Sequence, residues 1–406
     1  MLVLFASSFF ATGVRAAAQH ESVIFSFAGS QKTANGPLAG VIFDGSGNLY
    51  GTTNGGGNGF GTVFELTAAA GGGWTEKILY SFNNDGIDGR GPSAGVIFDA
   101  AGNLYGTTQF GGSGCNPPSG YCGTVFELTP TATGEWTEKI LHSFQANGTD
   151  GTLPQSGLVI DSQGNLYGTT VLGGNNNLGT VYELKPAAGG GWKEEILHSF
   201  RDGGDGQFPQ AGLIFDASGN LYGATSGDGQ FANGTVFELT RTASGGWKDK
   251  VLHSFGTSND GGFVLNSLFV DPAGNLYGTT QNGGSQGVGM VLELSPQAGG
   301  LWTTTILHNF TFGGTDGLSP LAGVIMDSAG NLYGTTQGGG PHNFGTVFEL
   351  SPNPGGTWTE RILHDFHGTD GFLPVAPLIF DDSGHLYGTT FLGGATEGGE
   401  VFEIIP

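Results

Sequence analysis

The sequence predicts an all-β fold: a seven-bladed β-propeller with four antiparallel strands per blade, closed by an N-terminal strand that completes the C-terminal blade. Three observations predict it. A short motif recurs seven times, as GNLYGTT at Gly47, Gly102, Gly164, Gly274 and Gly330, GNLYGAT at Gly219 and GHLYGTT at Gly384, in steps of 55, 62, 55, 55, 56 and 54 residues. Such a period suits one propeller blade, which usually takes roughly 40 to 50 residues, and is far too long for one coil of a β-helix. Each copy sits in a longer pattern of four β-branched and aromatic runs, and no helical periodicity interrupts them after residue 18. The two ends of the chain carry complementary pieces of one repeat.

The elements follow in order. An inner strand of the type LIFD leads through a turn to a second strand, LYGTT, and a Gly-rich loop precedes the third, GTVFEL. A polar, Gly-rich hairpin then opens the fourth, WTEKILHSF, whose Trp marks six copies at 74, 136, 192, 247, 302 and 358. The last repeat stops after its third strand at Val401–Pro406, while Val23-Ile24-Phe25-Ser26-Phe27 matches ILHSF with no blade in front of it. Sharing one blade between the ends hides two free strand edges, so residues 19–406 are expected to form one closed domain.

Ahead of that domain, Leu2 to Val14 is apolar, Arg15 interrupts it, and Ala16-Ala17-Ala18 supplies small residues before Gln19. This reads as a signal peptide over residues 1–18. The run is too short to span a bilayer, and no later segment approaches the roughly 20 apolar residues a transmembrane helix needs. A secreted, periplasmic or cell-surface location is expected. Cys115 and Cys122 are the only cysteines, and in an exported protein they read as a local disulfide within the insertion CNPPSGYC.

The charge balance excludes partners more firmly than it suggests any. Thirty-five acidic residues against 12 basic ones give a net charge of -23. A surface of that sign repels nucleic acid and anionic lipid headgroups.

Four sets of polar residues repeat with the blades. Asp44, Asp99, Asp161, Asp216, Asp271, Asp327 and Asp381 each stand three residues before a Gly, the pattern of a hairpin whose carboxylate accepts loop N–H groups. Glu65, Glu127, Glu183, Glu238, Glu293, Glu349 and Glu403 in GTVFEL are expected to pair across strands or face solvent. His142, His198, His253, His308 and His364, with Tyr80 and Phe25 in the same place, are expected to wedge between blades with one ring nitrogen bonded to a neighbour's backbone. Strict alternation puts Ile, His and Phe of ILHSF on one face.

The fourth set is a DGxxP box between blades, with Asp88, Asp150, Asp205, Asp316 and Asp370 four residues before Pro, and Asp260 four before Val264. These boxes share a face with the loops between strands two and three and lead toward the central channel. They read as Pro-stiffened turns or as an acidic rim, and the six aspartates are candidate ligand-binding residues on the second reading. The second blade's loop spans 15 residues where the others span 8 or 9, and it carries Phe110, Pro117, Pro118 and Tyr121 beside the two cysteines. An aromatic loop pinned in this way is a natural recognition element. Arg90, Arg201, His342, His367 and Glu397 break the sevenfold symmetry on the same face, and Arg90 and Arg201 join the candidate ligand-binding set. No motif for a nucleophile, a P-loop or an EF-hand is present. No cofactor is expected, although acidic loops of this kind are compatible with a divalent cation such as calcium.

The unit AGxIFDxxGNLYGTTxxGG…GTVFELTP…GGWTEKILHSF resembles the tandem repeat of the GloVer, or "choice-of-anchor", proteins over essentially residues 23 to 406. The resemblance implies an exported bacterial repeat protein without an assigned activity. Together with the loops it leads to the expectation of a non-enzymatic, monomeric propeller that binds a glycan or an extracellular protein on one loop face. A metal-assisted hydrolase or lyase using channel carboxylates, and a purely structural surface repeat, are the alternatives.

Overall fold

In the computed structural model, residues 20–30, 33–115, 121–231, 233–256, 260–262 and 267–406 are described. Residues 1–18, expected to be a signal peptide, and Pro117, Pro118 and Val264 lie outside the described residues. Seven four-stranded antiparallel sheets form the ring. In the first, Ile42–Phe43, Leu49–Thr53, Thr62–Ala68 and Trp74–Ser81 run in order from the channel outwards. In the seventh, Ile379–Phe380, Leu386–Thr390 and Glu397–Ile405 are completed by His20–Ala28, in a register that sets Val23 against Phe402 and His20 against Ile405. The shared blade therefore forms as the chain ends imply.

Two features differ from the sequence expectation. The inner strands pair over two residues only, because the Asp that follows turns into the hairpin and the residues before them line the channel. In the outer strands a β-bulge breaks the alternation: Val125 faces His142 while Phe126 faces Ile140, leaving Leu141 as the extra residue. The bulge rotates the end of the strand. His142 and Phe144 consequently face the following blade with their rings 4.7 Å apart, whereas Ile196, the counterpart of Ile140 in the next blade, packs back onto Phe144.

The core lies between blades. Phe27 meets Phe64 at 5.0 Å and Phe82 meets Phe126 at 5.2 Å, edge to face, and all four rings are fully buried. Each such ring removed from water contributes roughly 2–3 kcal/mol, so blade contacts are the main source of stability. Gly51 is required beneath one of them, since a Cβ there would lie 2.6 Å from the Phe64 ring. The first Thr of GTT links neighbours: Thr52 Oγ1 donates to Ala94 O at 2.8 Å, and Thr389 Oγ1 donates to Ala39 O at 3.0 Å across the ring closure.

Candidate functional site

The turn aspartates occupy one rim of the ring. Asp161 shows the arrangement: Oδ1 accepts the backbone N–H groups of Gln163 and Asn165 at 2.9 Å, and Oδ2 accepts Asn165 Nδ2 at 2.8 Å and the Tyr167 hydroxyl at 2.9 Å. Burial alone would raise its pKa, but these donors outweigh burial and hold it below the usual carboxylate range. Asp44, Asp99 and Asp327 are lowered for the same reason. The repeated Glu reaches across to the same tyrosine, as Tyr167 donates to Glu183 at 2.6 Å and Tyr50 to Glu65 at 2.8 Å. Turn, second strand and third strand are thereby tied in each such blade by one hydroxyl.

On the opposite rim the DGxxP boxes do not form a rim of carboxylates around the channel. The channel has a volume of about 660 Å³, and among the described residues that line it, including Leu38, Gln155, Gln210 and Val375, none is ionisable. Each Asp instead folds back and accepts the backbone N–H that follows the outer strand: Asn83 to Asp88, Gln145 to Asp150, Arg201 to Asp205, Gly256 to Asp260, Thr311 to Asp316 and His367 to Asp370, at 2.7–3.2 Å. Among the described residues the channel lining therefore carries no carboxylates of the kind the hydrolase alternative invokes.

What the boxes build lies at the boundaries between blades. Each Asp meets the His or Tyr of the preceding outer strand, and four boundaries bring a carboxylate from the next outer strand within reach, giving His142/Asp150/Glu194, His198/Asp205/Asp249, His308/Asp316/Glu360 and His364/Asp370/Glu21. The partner of each imidazole is thus a side-chain carboxylate where a backbone group was expected. At the second boundary Tyr80 replaces the imidazole and donates to Asp88 at 3.0 Å and Glu138 at 3.3 Å. At the fifth, Thr304 replaces the second carboxylate and lies 3.1 Å from His253 Nδ1. At the first, Phe25 and Thr33 stand where His and Asp stand elsewhere, and Glu76 is left with an unpaired Oε1.

Burial would raise Asp205, Asp316 and Asp370, but the imidazoles beside them outweigh it and lower all three, as at the turns, whereas the outer-strand carboxyls move the other way. Burial, reinforced by Asp88, pushes Glu138 up to about 7, and burial alone pushes Glu76 to about 6. Glu194 and Glu360 reach about 7 through burial and the neighbouring aspartate, against the opposing pull of the imidazole. Burial works against charge on His142 and His308, but the adjacent carboxylates outweigh it and raise both. On His253, with a single carboxylate beside it, burial wins and the pKa falls.

The glutamates and aspartate at this outer position, Glu138, Glu194, Asp249 and Glu360, escaped the sequence reading. The available signal was a second acidic column four residues before the histidine. It was hidden because strict alternation placed the two columns on one face, whereas the bulge turns them toward opposite neighbours.

Most of the remaining candidates gather in two places on the same rim. Gly89–Arg90 pairs with Phe110–Gly111, which confirms that box and loop share a face. The Arg90 guanidinium lies 5.9 Å from the centre of the Phe110 ring, Phe110 stands 5.7 Å from Tyr121, and Tyr121 is half exposed. Cys115 and Cys122 are bonded, with Cα atoms 5.8 Å apart. Beside this loop Ile87, Ser113, His142 and Gln145 line a surface pocket of about 370 Å³. Elsewhere, His342 and His367 approach to 5.8 Å and each bonds an aspartate, Asp365 and Asp370. Arg201 is largely exposed with Nε 3.4 Å from Asp205, and Glu397 occupies a positive-φ position at the hairpin beside the N-terminal strand.

Fold and repeat together define the class, a β-propeller built from one tandem unit. The Gloeobacter/Verrucomicrobia repeat matches residues 14–214, 114–324 and 190–402, and the chain belongs to that family. No curated protein matches it. Among solved structures it is similar to the extracellular domain of BT4673 from B. thetaiotaomicron, described as a one-component system, with a TM-score of 0.53 and 14% identity. It is similar also to an ancestral GH74 enzyme, with a TM-score of 0.53 and 11% identity. The match covers 95% of this chain in both cases but only 42% and 51% of the other chains, so this chain spans about half the length of the structures it resembles. At such identity the likeness concerns the fold.

Proposed function

We propose that this chain is an exported, non-enzymatic propeller that binds a glycan through the loop face around Arg90, Phe110 and Tyr121. The observation that carries the proposal is the disulfide-pinned second-blade loop, which sets two aromatic rings and a guanidinium side by side. Tilted rings offer apolar faces to sugar C–H groups while arginine supplies hydroxyl-directed donors, a pairing of apolar walls and few polar groups that suits small ligands. Export is supported by the apolar N-terminal run and by the disulfide. The similarly folded structure from B. thetaiotaomicron is itself an extracellular domain. Among the described residues no helix is long and apolar enough to cross a membrane.

A glycan array followed by calorimetry on the best hit tests this. Phe110→Ala and Tyr121→Ala are each expected to weaken binding at least tenfold, at a cost of about 1.4 kcal/mol or more per ring. Unchanged affinity in both variants, or an array without hits, would overturn the glycan reading. Capture of a protein ligand through the same residues would move the proposal to its protein alternative.

A further inference from the structure

The four His–carboxylate–carboxylate boundaries are not equivalent, and their hydrogen bonds sort them. His198 Nε2 lies 3.1 Å from Asp205 and His364 Nε2 lies 2.9 Å from Asp370, both ordinary hydrogen bonds that close the cluster. At the other two the separations are longer. His142 Nε2 stands 3.3 Å from Asp150 Oδ2 and 3.6 Å from Glu194 Oε1, and His308 Nε2 stands 3.5 Å from Asp316 Oδ1 and 3.6 Å from Glu360 Oε1. In these two clusters, and in neither of the others, all three residues hold a buried polar atom without a hydrogen bond: Nε2 of both histidines, Oδ1 of Asp150 and Asp316, and Oε1 of Glu194 and Glu360. Asp150 is nine-tenths buried. A group of unsatisfied buried polar atoms calls for an explanation, and an ion is one of the few available.

We propose that His142/Asp150/Glu194 and His308/Asp316/Glu360 are two zinc sites, each clamping adjacent blades. The separations fit. With metal–ligand bonds of about 2.0 Å, the edge of a tetrahedron is about 3.3 Å, longer than a hydrogen bond and close to the imidazole-to-carboxylate separations of 3.3–3.6 Å, while all three ligand atoms lie within 4.8 Å of one another. An imidazole nitrogen and two carboxylate oxygens all belong to the donor types that zinc takes in tetrahedral sites. Three protein ligands leave a fourth position open, and at the first site His142 also lines the surface pocket of about 370 Å³, which provides an entry path. The other boundaries supply natural comparisons: a tyrosine hydroxyl replaces the imidazole at Tyr80, and Thr304 withdraws one carboxylate opposite His253. The sites stand apart from the glycan-binding reading and can fail or hold without it.

The test is zinc itself. The full chain is stripped with chelator, loaded with zinc chloride at pH 7.5, dialysed, and its metal content measured against protein. Two equivalents are expected. His142→Tyr and His308→Tyr should each remove one, and the double variant both, while near-ultraviolet circular dichroism stays native because tyrosine already holds this position at Tyr80. Glu194→Gln and Glu360→Gln should do the same without changing side-chain shape. Cobalt in place of zinc should give the intense visible bands of a tetrahedral centre in the wild type and lose them in the double variant. Absence of bound metal would overturn the proposal. So would metal retained by the folded double variant, which would assign it to surface groups such as His342 and His367.

Discussion

Two rings of carboxylates circle this propeller, and the hairpin aspartates and the outer-strand glutamates of the blade boundaries shift in opposite directions. At the hairpin rim Asp161 collects two backbone N–H donors, an amide and a phenol, and its pKa falls although it is partly buried. At the blade boundaries Glu138 and Glu76 are buried with few donors, and their pKa values rise to about 7 and about 6. Donor supply decides the sign of the shift, not burial alone. The hairpin ring is nearly identical from blade to blade, and His385 for Asn is its main departure. The boundary ring changes its residues at four of seven places, with Phe25 and Thr33, Tyr80, Asp249 and Thr304 standing where His, Asp or Glu stand elsewhere. Uniform repetition marks a structural device here; variation marks where the chain has been adapted.

The comparison breaks first at the hairpins if their carboxylates prove dispensable. Asp161→Ala leaves two backbone N–H groups and the Asn165 amide without their acceptor, and the Tyr167 hydroxyl with only Glu183 and the Arg241 guanidinium. The expected loss is on the order of 3 kcal/mol, read as a lower denaturant midpoint at pH 7. A loss below about 1 kcal/mol would mean that Gly164, at φ 81°, fixes the turn without its carboxylate.

A boundary carboxyl should respond in the other direction. The folded protein holds a proton on Glu138 up to about pH 7, whereas the unfolded chain releases it near 4.5. The folded state therefore binds more protons between those values, and stability falls as pH rises through that window. Glu138→Gln removes the penalty. The variant should match the wild type near pH 4.5 and exceed it by on the order of 2 kcal/mol at pH 8, measured by urea denaturation across pH. An equal advantage at both ends would show that packing, not the proton, is responsible.

The architecture was legible because repetition, strand composition and the split last blade all state it locally. Asp44 and its six counterparts were legible for the same reason: a turn is decided within five residues. The boundary sites were half legible. The histidines and the DGxxP aspartates were visible as columns, but their partner belongs to the next repeat, about 50 residues on, and nothing local joins His142 to Glu194. The bulge at Leu141 then reversed the facing that alternation assigns. Of the two readings of the DGxxP boxes, the acidic channel rim does not form, because a loop's place in chain order does not fix the direction of its side chains; the aspartates turn outward to cap the chain leaving the outer strand.

The finest distinction lies within the boundary ring, between Glu138 and Glu76. Glu138 faces Asp88, and the charge of that neighbour adds to burial; at the Glu76 boundary Phe25 and Thr33 occupy the positions that carry His and Asp elsewhere, and burial acts alone. Both raise the folded pKa, so both lower stability as pH climbs, but Glu76 should complete its effect near pH 6 and Glu138 near pH 7. Glu76 is also more open to solvent, which screens the penalty, so Glu76→Gln should gain no more than about 1 kcal/mol at pH 8. Stability curves for the two variants should accordingly reach their plateau about one pH unit apart. Coincident curves would mean that Asp88 is protonated or solvated enough to exert no field on Glu138, and the boundary ring would then be a series of isolated buried acids, not of interacting pairs.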